Sequence, residues 1–236
     1  MRKILNFGVL FAVLLMAAGV LAAPDPDAQL AVIAAGRDLW KQDVEYNNWG
    51  YTVTDLDHNG RYEIISCSVQ GTGFYSYIQA FEVNEAGDGL IDLMADLKDR
   101  TDSSPDIMTD RVTFYSDPQS GQYYYIFNDM IRNGMAEYYE NTRAVSVVDG
   151  KWTEMPLASK STVYTDQDHY TITCSNKSGN AISESQYGSI AEEEFRGLGS
   201  GEICLQWQMT DNNAFAALSV DQLTASLKAG TAANCP

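Results

Sequence analysis

Residues 51–65 read YTVTDLDHNGRYEII. β-branched and aromatic residues at both ends of this stretch predict two strands. Between them, residues 55–63 place oxygen-bearing side chains at alternate positions, and Gly60 permits the sharp turn that a side chain would block. The stretch therefore predicts a β-hairpin with an oxygen-rich loop.

The loop carries the side chains that a calcium ion requires. Calcium binds six to eight oxygens and tolerates irregular geometry. The candidate ligands are the side chains of Asp55, Asp57, Asn59 and Glu63 and the backbone carbonyl of Arg61. An EF-hand is excluded, because position 12 of the loop is Ser66 and the flanks are predicted strands, not helices. An acidic turn that binds no metal is the alternative, since Asp, Asn and Gly are ordinary turn residues.

The same stretch resembles a family of calcium hairpins. It is similar to the aliphatic-Asp-x-Asp-Gly-Asp-Gly-x-x-Glu-Leu hairpins of secreted proteins of gut and soil bacteria, which are similar in turn to the loops of FG-GAP and VCBS repeats. The resemblance implies calcium ligation by the five residues named above. Asn59 replaces the usual third acid and lowers the charge of the site, and His58 replaces a small residue. The resemblance implies a site and a local fold, and it implies no activity.

The N-terminus has the pattern of a secretory signal, predicted to span residues 1–22. Arg2 and Lys3 precede an apolar run at residues 7–21, which is short for a membrane span. We therefore expect a secreted or cell-envelope protein with no stable membrane insertion after cleavage. An uncleaved N-terminal anchor is the alternative.

The net charge is strongly negative. It is −17 for the whole chain and −19 without the signal, because Arg2 and Lys3 leave with it and no acid does. Such a surface repels phosphate backbones, so nucleic-acid binding is not expected. The same charge favours bound divalent cations.

The remaining residues, 23–236, are predicted to form a single α+β domain. We expect a mostly antiparallel β-sheet meander with an N-terminal helix and two C-terminal helices. The N-terminal helix is predicted over residues 28–46, where Ile33, Trp40 and Val44 fall on one stripe. An Asp-Gly turn at residues 149–150 predicts a hairpin.

Two capping boxes predict the starts of the C-terminal helices. They pair Ser183 with Gln186 and Ser219 with Gln222. Alternating apolar residues at 203–209 predict a strand between these helices.

Four cysteines allow two disulfides in an exported chain, with three possible pairings. We favour Cys204–Cys235, which ties the tail to the last strand, together with Cys67–Cys174, which bridges two strands. Free thiols in the exported chain are the alternative. The spacing of the cysteines matches no zinc motif.

The sequence favours a binding or interaction module over an enzyme. The two histidines, His58 and His169, are placed in turns, and no G-x-S-x-G elbow is present. A hydrolase that uses a carboxylate pair is the alternative. Tyrosines at positions 75, 77, 123–125 and 138–139 are candidates for stacking on an extracellular glycan or protein, although tyrosines on strands usually fill a core. The sequence leaves the oligomeric state open.

Overall fold

Two antiparallel β-sheets and six helices make up the described part of the chain, so the predicted α+β class is confirmed. The computed structural model describes residues 24–44, 48–72, 75–97, 106–166 and 168–235. The predicted signal at residues 1–22 lies outside the described residues.

The helices are α1 Pro26–Ala35, α2 Arg37–Trp40, α3 Glu184–Gly188, α4 Ile190–Glu194, α5 Asn212–Ala217 and α6 Val220–Ala229. The strands are β1 Trp49–Thr54, β2 Glu63–Gln70, β3 Tyr75–Val83, β4 Leu90–Asp92, β5 Arg111–Ser116, β6 Tyr123–Asn133, β7 Glu137–Val148, β8 Lys151–Tyr164, β9 Tyr170–Asn176, β10 Ala181–Ile182, β11 Gly199–Cys204, β12 Gln208–Thr210 and β13 Ala233–Asn234.

The strands form a small and a large sheet. The small sheet has the order β12-β1-β2-β3-β4, and the large sheet has the order β10-β9-β8-β7-β6-β5-β11-β13. All strand pairs are antiparallel, and most of them join consecutive strands. This arrangement is the predicted meander, divided between two sheets.

The main core lies between the two sheets. Apolar side chains from β2 and β3 of the small sheet share this cluster with side chains from β5 to β8 of the large sheet: Ile65, Cys67, Ile78, Ala80, Val112, Tyr125, Phe127, Val145, Val147 and Trp152. Tyr51, Val53 and Ile64 lie in a second cluster with helical residues. Residues 63–68 of β2 are therefore buried without interruption, as expected for a strand covered on both faces.

The N-terminal helix is confirmed, but its predicted extent over 28–46 is wrong. α1 ends at Ala35, and α2 ends at Trp40. The Trp40 indole donates to Ile33 O at 2.9 Å, and Trp40 O accepts from the Ser66 hydroxyl. These tertiary contacts turn the chain toward β2 where the apolar stripe alone would continue the helix.

The C-terminal helices begin where the capping boxes predict. Reciprocal hydrogen bonds at Ser183–Gln186 and Ser219–Gln222 open α3 and α6. The single strand predicted over 203–209 is wrong, because β11 ends at Cys204 in the large sheet and β12 begins at Gln208 in the small sheet. The chain thus crosses between the sheets within one alternating run.

One of the two favoured disulfides is confirmed. Cys204 and Cys235 are bonded, and their Cα atoms lie 5.0 Å apart. The Cys67–Cys174 pairing is wrong, since both residues are free and buried. Cys67 packs between the sheets, whereas Cys174 lies on β9, near the end of the large sheet away from that core.

Candidate functional site

The loop between β1 and β2 has the predicted strand–loop–strand form. His58 and Gly60 adopt positive φ angles of 56° and 81° and fold the loop back on itself. Backbone N–H groups then fix its acids: Gly60 donates to Asp55 at 3.2–3.3 Å, and Asn59 donates to Asp57 at 3.2 Å. The loop backbone therefore holds the side chains of the first two predicted ligands.

Three predicted ligands converge. Asp55, Asp57 and Glu63 each offer one carboxylate oxygen, and these oxygens lie within 4.8 Å of one another. Two oxygens on opposite sides of a calcium ion lie about 4.6–5.2 Å apart, given bonds of about 2.3–2.6 Å. This group of three acids could hold a metal ion.

Glu63 is the innermost of these acids and is fully buried. Its Oε2 accepts from Thr54 Oγ1 at 2.8 Å and from Leu56 N at 2.9 Å. Its Oε1 is also buried and has no hydrogen-bond partner among the described residues. Burial raises the pKa of Glu63 well above its usual value. A buried carboxylate oxygen without a partner is costly, so a positive group bound beside it would stabilise the site.

The two aspartates are perturbed in the same direction. Burial, followed by repulsion from Glu82, raises the pKa of Asp57 to about 6. Burial also raises the pKa of Asp55, against the hydrogen bond from Gly60. Burial and mutual repulsion therefore disfavour the charged forms of these carboxylates, and a bound cation would offset both effects.

Asn59 and Arg61 lie beside the acids in a way that the sequence does not predict. Asn59 Oδ1 accepts from the Arg61 N–H at 2.7 Å, so its amide nitrogen faces Asp57 Oδ2 at 2.8 Å and Glu82 Oε1 at 2.6 Å. The Arg61 guanidinium binds Glu82 at 2.7 Å. Ligation by the Asn59 oxygen and by the Arg61 carbonyl stays a prediction.

Glu82 is the residue that sequence reasoning missed. It is fully buried on β3 and pairs across the strands with Glu63. An acid between Phe81 and Val83 in an apolar strand was a signal of a special environment. Its position beside the loop follows only from the register of β2 against β3.

Helix α1 supports the loop through Gln29, which is buried. The Gln29 amide donates to Gly60 O at 2.9 Å, and its Oε1 accepts from Tyr62 N at 2.6 Å. The same amide donates to Pro24 O at 2.9 Å. The Gln29 side chain thus pairs with a carbonyl and an N–H group of the turn and connects the turn to the N-terminal helix.

Strand β6 supports the loop from the large sheet. The Tyr125 hydroxyl donates to Leu56 O at 2.9 Å and lies 3.3 Å from His58 Nε2. The His58 ring stacks on Tyr123, with 4.0 Å between ring centroids. The acidic loop therefore joins two sheets and a helix.

The other histidine and the tyrosines named in the sequence analysis lie away from the loop, or pack against neighbouring side chains, or are exposed. His169 is exposed and pairs with Asp166. Tyr124 stacks on Phe195, whereas Tyr75, Tyr77 and Tyr139 are exposed.

No protein-family model, no curated protein and no solved structure matches this chain. Among the helices of the described residues, none combines the length and the apolarity that crossing a bilayer requires.

Proposed function

We propose that this chain is an exported binding protein whose β1–β2 loop binds one structural calcium ion. The observation that carries the proposal is the buried Glu63 Oε1, which lacks a partner and belongs to the carboxylate cluster with Asp55 and Asp57. A divalent cation at this position would offset most of the negative charge of the cluster and satisfy that oxygen.

The donor set favours calcium. Asp55, Asp57 and Glu63 offer only carboxylate oxygens, which suit a hard cation, and the irregular loop suits calcium better than the near-ideal octahedron that magnesium demands. Structural zinc sites are built from cysteine and histidine ligands, which this cluster of three acids does not offer. Export would place the site in calcium concentrations of about 1 mM, a range that extracellular modules bind.

The proposed role of the ion is to hold the β1–β2 loop in the shape that contacts helix α1 and strand β6. The loop contacts α1 through Gln29 and β6 through Tyr125. Glu63 is fully buried and so has no surface that could touch a substrate. With a dissociation constant of about 0.1 mM and about 1 mM calcium, the ion stabilises the fold by about 1.4 kcal/mol.

Thermal unfolding tests this role. We expect 1 mM calcium to raise the melting temperature by about 3–6 °C over chelator. Asp55→Ala should lower the melting temperature in calcium and change it little in chelator. The matched control is Asp117→Ala, in an exposed turn, which should keep the full calcium response. An equal loss for Asp55→Ala in both conditions would contradict a metal role.

Glycan binding is a second candidate function, favoured by a strip of tyrosines on the large sheet. The tyrosine strip consists of Tyr138, Tyr164 and Tyr170. The ring centroids of Tyr138 and Tyr164 lie 5.8 Å apart, and those of Tyr164 and Tyr170 lie 5.4 Å apart. Tyr170 is 57% exposed, so one ring face is open for stacking.

A glycan array tests this second candidate. We expect the wild-type protein to bind a sugar and Tyr170→Ala to lose that binding. Tyr139→Ala is the matched control, because Tyr139 is exposed on the opposite face of β7 from Tyr138. Absence of wild-type binding to any glycan rejects the candidate.

A further inference from the structure

We propose that Glu82 belongs to the cation site and that the Arg61 side chain sets the calcium affinity by competing with the ion for it. This inference rests on the proposed calcium site. Neither side chain was a predicted ligand, since Glu82 lies on β3 and the sequence suggests only the carbonyl of Arg61.

The register brings Glu82 to the site. Residues paired directly across antiparallel strands point to the same face of a sheet, and Glu82 pairs with Glu63. Both carboxylates are fully buried. Glu82 Oε1 and Asp57 Oδ2 accept from the same Asn59 amide nitrogen, at 2.6 and 2.8 Å. Only the Asn59 amide nitrogen therefore separates the Glu82 carboxylate from that of Asp57, which belongs to the cluster.

The charges around the loop are unbalanced without a cation. Asp55, Asp57 and Glu63 form the carboxylate cluster, and Glu82 lies beside it, where its Oε1 accepts from the Asn59 amide nitrogen. Arg61 binds Glu82 at 2.7 Å and lies 3.6 Å from the exposed Glu85. One guanidinium cannot balance four buried or half-buried acids, whereas a divalent ion added to it nearly does.

The Arg61 guanidinium already supplies one positive charge beside the loop, next to the proposed ion. It stands on the far carboxylate oxygen of Glu82, so it withdraws that charge from the loop and repels an incoming cation. Its Nε is buried and has no hydrogen-bond partner in the part of the chain that the structure describes. The Arg61 side chain is thus held by its ion pairs with Glu82 and with the exposed Glu85, and its Nε adds no hydrogen bond.

Arg61 has room to move away from the site. Asp57, Arg61 and Glu82 line an open cleft of about 670 Å³. The guanidinium can shift into this cleft while Glu82 turns its charge toward the ion. Arg61 therefore lowers the calcium affinity, and Glu82 raises it.

Calcium titration calorimetry on the purified chain tests this pair. We expect Glu82→Gln to weaken calcium binding by about 10- to 100-fold, the range for residues that support metal ligands. Arg61→Gln should tighten binding by about tenfold, because it removes a nearby positive charge. Arg61→Lys keeps the charge and should stay within about threefold of wild type. Glu193→Gln is the matched control, since Glu193 is exposed on α4, and should change the affinity less than about twofold.

The outcomes separate this inference from the proposed function. Failure of the wild-type chain to bind calcium overturns both. Wild-type binding with unchanged affinity in Glu82→Gln and Arg61→Gln overturns the inference alone. Glu82→Gln leaves Arg61 with only the exposed Glu85 as an ion partner and can unfold the chain, so the double variant Arg61→Gln/Glu82→Gln is measured as well. We expect its affinity to lie between those of the two single variants, and an affinity as tight as that of Arg61→Gln would show that Glu82 has no part in the site.

Discussion

Glu63→Gln is expected to abolish the calcium response of this protein without lowering its stability in chelator. Glutamine has the shape of a protonated glutamate, and its carbonyl can accept the hydrogen bonds from Thr54 and Leu56. Burial holds the pKa of Glu63 well above its usual value, because it disfavours the charged form of the side chain, and glutamine carries no charge.

The expected result has two parts. In chelator, the melting temperature of Glu63→Gln should equal or exceed that of the wild type, because the substitution removes a buried carboxylate whose Oε1 has no hydrogen-bond partner among the described residues. In calcium, the affinity should fall by at least about 100-fold, since a charged ligand is lost. Titration calorimetry and thermal unfolding measure the two parts.

Glu202→Gln is the matched control for this substitution. Glu202 lies on the exposed surface and pairs with Arg111, and its substitution should leave the calcium response intact. If Glu63→Gln lowered the melting temperature equally with and without calcium, Glu63 would serve the hydrogen-bond network and hold no ion.

The second large effect is expected at the disulfide. The Cys204–Cys235 bond closes a segment with a sequence separation of 31 residues. In the chain-entropy account, a loop of this length restricts the unfolded chain and stabilises the fold by about 2–4 kcal/mol. The double substitution Cys204→Ser/Cys235→Ser should therefore lower the melting temperature by about 5–15 °C.

The free cysteines provide the control for this substitution. Cys174→Ser removes a thiol and leaves the bond in place, so it should retain the response of the melting temperature to reductant. Thiol titration of the unfolded wild-type chain should find two thiols without reductant and four after reduction. Four thiols without reductant would contradict the bond.

Local signals in the sequence predict local structure well here. The turn at Gly60, the two capping boxes and the Asp149-Gly150 hairpin each depend on a few adjacent residues. The convergence of Asp55, Asp57 and Glu63 follows from the spacing of oxygen-bearing residues in a tight loop.

Features that depend on contacts distant in sequence could not be predicted. The end of α2 at Trp40 depends on contacts with Ser66 on β2, and the division of the 203–209 strand depends on the presence of two sheets. The Cys67–Cys174 pairing fails for the same reason, because strand prediction does not say which sheet carries each cysteine. Glu82 enters the site through a strand register that no local pattern reveals.

Equilibrium dialysis against calcium tests the central claim most directly. At about 1 mM calcium, a site with a dissociation constant of 0.1–1 mM is about half to nine-tenths occupied. The account expects binding to saturate at one ion per chain at higher calcium, and it expects Glu63→Gln to bind none in this range. Calcium at the same concentration inside and outside the dialysis bag, or equal binding by wild type and Glu63→Gln, would contradict a calcium site in the β1–β2 loop.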